Sequence, residues 1–308
     1  MEKITHFSAF AGIGGACSAL REAGIPYTTT GISEIDKGAL RLRKAILKDN
    51  PLNIGDINNS SWGNVESPYL YTGGFPCQPF SVMGLMRGFN DPRIKAMYSM
   101  RDMIMDILPN YILLENVKGV LTKTQRPHLM RWLEGFETEY SFKIHKSNPN
   151  SLGYIQSRGR VYITLSRLDM TPWVVPTLPI VHSPPQTWAD IVDPILDPTS
   201  FYIMSAKNPR FKNSHIVVDT DTKIQCITHR GFQAYCGRMT YVPHPKGKVR
   251  SFSWDEHFRV FGYSEFPQIK STRALSRRVQ TEGFGNSWHV GHAGLILQTL
   301  PLPKGVRI

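Results

Sequence analysis

Residues 7–15 read FSAFAGIGG and pass directly into ACSALREAG at 16–24. An apolar run, close glycines at 12, 14 and 15, and then a helical pattern describe a strand that turns sharply into a helix. Glycine permits left-handed backbone and a close approach to a ligand, which is what a nucleotide-binding turn requires. The same turn also serves dinucleotides or simply reverses the chain, so it points to the fold and leaves the ligand open.

The rhythm continues on the C-terminal side. YTTTGIS at 27–33 is followed by a basic helical stretch to Leu47, and further strand patterns occur as YLYTGG at 69–74, YILLEN at 111–116 and RVYITLS at 160–166. Strands alternating with helices predict an α/β domain with a parallel sheet over residues 1–166. From about 167 to 245 prolines cluster, as in TPWVVPTLPIVHSPP at 171–185, and helical periodicity lapses. A smaller second lobe is expected there. Helical patterning returns in SWDEHFRVFG at 253–262 and WHVGHAGLILQTL at 288–300, so the last helix is expected to dock back on the first lobe. The expected division is 1–166 completed by 281–308, with 167–280 as the second domain and hinge.

Composition narrows the class. With 36 Lys and Arg against 24 Asp and Glu, the net charge of +12 favours a polyanionic partner, nucleic acid first. Many basic proteins bind no polyanion, so charge needs a site beside it. Cys17, Cys77, Cys226 and Cys236 show no C-x-x-C pairing, and MEKITHFSAF lacks a secretory pattern. A reducing cytoplasm and no metal are expected. No stretch approaches the roughly 18 apolar residues of a membrane span, so a soluble chain is expected.

Chemistry-bearing residues stand at the ends of these strands. Glu34 follows TTTGIS, where a carboxylate can accept hydrogen bonds from both ribose hydroxyls. Asp56 in NIGDIN is placed for an adenine amino group. Each is also explained as a solvated strand-end acid, but their order after the glycine turn points to an adenosine-containing cofactor. In GGFPCQPFS at 73–81, Cys77 lies between two prolines in a rigid, exposed turn. That suits a nucleophile, and an inert loop cysteine is the alternative. A nucleophile reacts as thiolate, so nearby cations or backbone donors are expected to lower its pKa. YILLENVKGV at 111–120 delivers Glu115 to the same rim as an acid or base. SLGYIQSRGRVYI at 151–163 puts Gln156, Arg158 and Arg160 at alternate positions, on one face of a strand and suited to an anion. An exposed basic edge strand is the alternative.

In this order the segments resemble the cytosine-5 DNA methyltransferase family of bacteria and phages. FAGIGG at 10–15 is similar to its cofactor motif, GFPCQPFS at 74–81 to its nucleophile motif, and ENV at 115–117 and Q-x-R-x-R at 156–160 to two further catalytic motifs. RVFGY at 259–263 and GNSWHV at 285–290 resemble its last two motifs. The resemblance implies a Rossmann-like S-adenosylmethionine-dependent methyltransferase domain with a smaller, mostly β target-recognition domain. It implies double-stranded DNA as partner, with the target cytosine flipped from the stack. Cys77 would add at carbon 6, Glu115 would serve ring N3, Arg158 would hold the base carbonyl, and Arg160 would order the site.

By the same resemblance Phe10, Gly12 and Gly14 contact the cofactor through backbone, Glu34 its ribose, and Asp56 and Ile57 its adenine. Asn286 and Ser287 close the pocket at the methionine end. The loop from Gln78 to about Met100 would close over the flipped base, with Gln78, Ser81 or Met83 filling the gap. Arg230 and Arg238, with Arg210, Lys212 and His229, are the candidate DNA contacts of the second lobe. A monomer in a bacterial or phage-infected cytoplasm is expected, in a restriction-modification system, as an orphan enzyme or as phage self-protection.

The rivals are a tRNA-methylating relative, whose Cys-Phe-Thr signature is not found between the Arg motif and RVFGY, and a catalytically silent DNA-binding member. Ile155 stands where the family has Pro, Asp255 where it has Arg, and Cys226-Ile227 where it has Thr-Leu. DPRIKAMYS at 91–99 lacks the Thr-Leu-Phe pattern.

Overall fold

The computed structural model of the chain describes residues 2–59, 61–80, 88–176, 186–193, 203–205, 215–216, 223–228, 240–267, 269 and 275–307. The first lobe runs β1 (Ile4–Ala9), α1 (Gly15–Glu22), β2 (Tyr27–Ser33), α2 (Lys37–Leu47), β3 (Leu52–Asn53), β4 (Leu70–Gly73), α3 (Lys95–Ile107), β5 (Tyr111–Val117), α4 (Arg126–Glu134), β6 (Tyr140–Ser147) and β7 (Arg160–Arg167). These strands form one seven-stranded sheet in the order β3-β2-β1-β4-β5-β7-β6. Neighbours from β3 to β5 are parallel, whereas β7 is antiparallel to both β5 and β6.

The reversed β7 decides where the site is built. A further parallel strand would begin at the opposite rim, but β7 starts where β5 ends, with Arg160 paired to Val117 and Tyr162 to Glu115. β6 was not among the strands expected. Its sequence, YSFKIHKS, alternates apolar and polar residues as a half-exposed edge strand does.

Strands β4 and β5 are apolar on both faces because helices cover both. Buried residues of α1 and α2 pack on one face with the C-terminal helix α8 (Val290–Leu297), and those of α3 and α4 pack on the other. Asp36 caps α2 by accepting from the Gly38 and Ala39 amides, at 2.6 and 2.9 Å.

The second lobe holds α5 (Trp188–Ile191) and a smaller sheet in the order β8 (Ile203–Ser205), β11 (Lys248–Arg250), β10 (Thr240–His244), β9 (His215–Ile216). It is followed by α6 (Trp254–Val260) and α7 (Arg277–Asn286). Glu256 on α6 holds a buried ion pair with Arg250 on β11, its oxygens each 2.7 Å from a guanidinium nitrogen, and also accepts from the Ser253 and Asp193 amides. The chain just after β7 stays under the first lobe, where the Tyr111 hydroxyl donates to Thr171 O and the Trp173 indole to Thr299 Oγ1. Helix α7 packs on α2, and α8 packs on α1. Among the described residues no helix is long and apolar enough to cross a membrane.

Candidate active site

The glycine turn between β1 and α1 is strained in the way its composition allows. Phe10, Gly12 and Gly14 all have positive φ, of 51°, 53° and 87°. A side chain on Gly14 would collide with Leu47, whereas one on Gly12 would meet only the Phe10 carbonyl, at 3.9 Å, and would project into a cavity. Glu34, directly after β2, clasps this turn: its carboxylate accepts from the Gly12 amide at 2.7 Å and from the Ile35 and Asp36 amides at 2.9 and 2.7 Å.

Two cavities, of about 210 and about 460 Å³, share Phe10, Glu34, Pro76 and Gln78 and so form one elongated cleft. The larger half is lined by Asp56, Ile57, Arg93 and Lys95. Asp56 is held in place by the Asn58 amide and by the Asn58 and Asn59 side chains, at 2.9, 2.9 and 3.2 Å. The smaller half contains Gly12, Cys77, Glu115 and Asn286. Ser287 departs from its expected place. Its hydroxyl is buried against Gly15 and does not line the cleft.

Cys77 sits in a turn closed by the Phe80 amide donating to its carbonyl at 3.0 Å. The turn is fixed from both sides. The Asn116 side chain, at the end of β5, donates to Phe75 O at 3.0 Å, and Phe75 and Phe80 are buried against each other and, for Phe75, Trp132. Against expectation, the thiol is raised, not lowered, from its ordinary value. Burial is the largest cause and the Glu115 charge adds to it, so the opposing pull of Arg160 and Arg158 does not prevail.

Glu115 Oε1 forms an ion pair with Arg160 Nε at 2.6 Å, both groups being nearly buried. Arg158 lies elsewhere. Only 2% exposed, it donates to Ile227 O, Gly285 O and Ser287 O at 2.7, 2.9 and 2.6 Å and lies 3.3 Å from Cys226 Sγ. Of the two arginines it is therefore Arg160 that stands beside the acid, while Arg158 is engaged with backbone carbonyls. The physical reason is that Gln156 and Arg158 precede β7 and are not on one strand face. Gln156 bridges Ile224, and the Ser157 amide donates to Ile224 O, so this segment is engaged with the second lobe. Burial raises the Cys226 thiol, but Arg158 and Arg160 outweigh it and the net shift is downward.

The expected closing loop is also shorter than 78 to 100. Single turns of 3₁₀ helix occupy Gly88–Asn90 and Pro92–Ile94, and α3 begins at Lys95. The Gly88 amide donates to Pro79 O at 2.8 Å, tying the two ends of 79–88 together. Gln78 lines both halves of the cleft, and Ser81, Met83, Arg210, Lys212, His229, Arg230 and Arg238 lie outside the described residues. Residues not foreseen include Ile35, 70% exposed at the larger cavity, and Asp36 at the smaller. The Asn116 hold on Phe75 was also missed. Their only sequence signal was adjacency to Glu34 and Glu115. Among the described residues no three His, Cys, Asp or Glu side chains are grouped to hold a metal ion.

Comparison with known proteins bears on this arrangement. A family model described as C-5 cytosine-specific DNA methylase matches residues 4–300. The chain is 36% identical over 180 residues to the orphan methyltransferase M.Rho11sI of Bacillus phage rho11s, a match covering 57% of this chain and 36% of that protein. It is 30% identical over 177 residues to the mouse tRNA (cytosine(38)-C(5))-methyltransferase, covering 56% and 42%. The chain thus spans less than half the length of these relatives. In fold it is similar to the S. pombe Dnmt2 methyltransferase, with a TM-score of 0.77, 19% identity, and coverage of 96% and 98%.

Proposed function

The chain belongs to the C-5 cytosine-specific DNA methylase family, and from that premise we propose that it methylates carbon 5 of cytosine in double-stranded DNA using S-adenosylmethionine. The observation that carries this reading is the convergence of Cys77, Glu115 and Arg160 at one end of a cleft whose other end is lined by Asp56 and Ile57.

The cleft fits an adenosine linked to an amino acid. Gly12 leaves open the space that a Cβ would fill, and Glu34 and Asp36 offer carboxylate oxygens along the cleft for hydroxyl groups. Asp56 and Ile57 would hold the adenine, Phe10 and Gly12 the backbone side, with Gly14 shaping the turn behind them, and Asn286 the amino-acid end. S-adenosylmethionine supplies a methyl group bound to a sulfonium, the electrophile that the reaction needs.

Carbon 5 of cytosine is a weak nucleophile until carbon 6 is attacked. Cys77 Sγ, as thiolate, forms the bond to carbon 6 while Glu115 hydrogen-bonds to or protonates ring N3, so negative charge does not accumulate on the ring. Arg160 orients Glu115 and would steady the base carbonyl. After methylation a water molecule takes the carbon 5 proton, the Sγ–carbon 6 bond breaks with its electron pair leaving on the thiolate, and N3 returns any proton it received to Glu115. The target base must be flipped to reach Cys77, at a cost of a few kcal/mol. The charge of +12 supports a polyanionic substrate. We assign residues 1–166 with 281–308 to catalysis and 167–280 to target recognition, with Gln78, Ser81, Met83, Arg230 and Arg238 toward DNA, acting as a monomer in the cytoplasm.

The tRNA relative makes RNA the second reading. Labelled cofactor with duplex DNA or tRNA, repeated with Cys77→Ser, separates the two. The expected result is label in DNA, none with the variant, and a trapped covalent complex on duplex carrying 5-fluorocytosine. Label in tRNA alone, or undiminished transfer by Cys77→Ser, would overturn the proposal.

A further inference from the structure

Arg158 is buried, yet no carboxylate bonds to it among the described contacts. Its charge is met by carbonyl oxygens drawn from two separate chain segments. Nη1 donates to Ile227 O at 2.7 Å and reaches Cys226 Sγ at 3.3 Å, both in the second lobe. Nη2 donates to Gly285 O and Ser287 O, at 2.9 and 2.6 Å, on either side of Asn286 at the end of α7. The guanidinium plane lies 5.2 Å from the Phe261 ring. On its own segment, the Arg158 amide donates to Asn148 Oδ1 at 2.9 Å, and two residues on, Arg160 grips Glu115.

The acceptors at α7 are end-of-helix carbonyls, which have no partner within the helix and carry its negative dipole end. A planar guanidinium can bond two such groups through one nitrogen and two more through the other, in fixed directions. An ammonium cannot hold that geometry.

We infer that Arg158 is a positioning residue that joins Asn286 on the cofactor side of the cleft to Cys226 and Ile227 on the target side. Through this link the wall that closes on the cofactor and the segment that meets the target share one spacer, set against Arg160 and Glu115. The inference rests on the proposed function for the identity of the two ligands. It differs from a base-contacting role in what Arg158 removal should damage: binding of both ligands, more than the rate once both are bound.

The test uses the full chain with Arg158→Lys and Arg158→Ala. S-adenosylhomocysteine binding is measured by calorimetry, the KM for the duplex that the wild type methylates is measured with kcat, and urea midpoints report folding. Arg158→Lys keeps the charge and should fold. It is expected to weaken S-adenosylhomocysteine binding at least tenfold and raise the duplex KM by a similar factor, with kcat at saturation reduced less than tenfold. Methylguanidinium should restore part of the binding lost in Arg158→Ala. S-adenosylhomocysteine binding within twofold of wild type in Arg158→Lys, with kcat down a thousandfold, would place Arg158 on the base and overturn the inference alone. A wild type that binds no S-adenosylhomocysteine would overturn the functional reading and the inference with it.

Discussion

Replacing Gly119 by Ala adds one methyl group behind the nucleophile. That methyl would overlap the Phe80 carbonyl oxygen and lie only 3.0 Å from its carbon, where carbon atoms normally approach to about 3.5–4.0 Å. Backbone meets the methyl, so no rotamer change relieves the clash, and the turn must retreat by about 1 Å to restore ordinary contact. Phe80 closes the turn on Cys77 and is itself packed against Phe75 and Phe89, so Sγ moves with it. A shift of about 1 Å in a reacting group costs on the order of 100-fold in rate, and overpacking costs about 1–3 kcal/mol of stability. The glycine turn and Glu34 are untouched. Gly119→Ala should therefore bind S-adenosylhomocysteine as the wild type does while single-turnover methyl transfer to DNA falls about 100-fold. A rate within threefold of wild type in a folded variant would show that the Phe80 carbonyl does not set the position of Cys77.

Four further outcomes follow from the structure. Because burial and the Glu115 charge both raise the Cys77 thiol from its ordinary value, its alkylation by iodoacetamide should keep accelerating as pH rises past the range where a free cysteine ionises, about 8.5, and levelling below pH 8 would contradict this. Glu115→Gln removes the charge that opposes the thiolate, so Cys77 should alkylate faster at fixed pH even as methyl transfer collapses. His6 and His292 are both lowered to about 3, chiefly by burial and then by Arg43, and by Arg160 and Arg158, respectively. The unfolded chain binds these protons near pH 6.5 and the folded chain does not, so stability is full above 6.5 and is lost as pH falls toward 3. The slope is up to about 1.4 kcal/mol per pH unit per histidine, and urea midpoints flat between pH 7 and 5 would refute it. Finally, Glu256→Gln takes the carboxylate charge from the buried Arg250 guanidinium, which keeps its bond to Ser251 O, and should cost up to about 3 kcal/mol, seen as a lower urea midpoint; a change below 1 kcal/mol would remove this pair from the links between β11 and α6.

Much of the first lobe was legible because its signals are local. The glycine spacing from 12 to 15 specifies left-handed backbone at a strand-to-helix turn, and positive φ is found at Gly12 and Gly14. Glu34, Asp56 and Cys77 follow strand patterns directly, and a parallel sheet delivers such residues to one rim whatever the details of packing. The edge strand β6 was missed because five of its eight residues are polar, as exposure on an edge permits. The pKa of Cys77 was expected to fall because a nucleophile reacts as thiolate, but the depth of burial that raises it is not visible in the sequence.

The two arginines mark where sequence reasoning stopped. Alternate spacing from 156 to 160 says that three side chains share a face only if all lie in one strand, and β7 begins at the last of them. The pairing of Gln156 with Ile224, and of Arg158 with carbonyls near 227 and 286, depends on residues about 70 and 130 positions away. From its sequence alone the chain determined its α/β class, the order of its motifs and the thiol and carboxylate that stand at the rim, since each depends on neighbours within a few residues. Only the tertiary structure decided which arginine meets Glu115 and how deeply Cys77 is buried. The direction of β7 and the return of α7 bring together groups whose charges act through space, and local spacing holds no record of those distances.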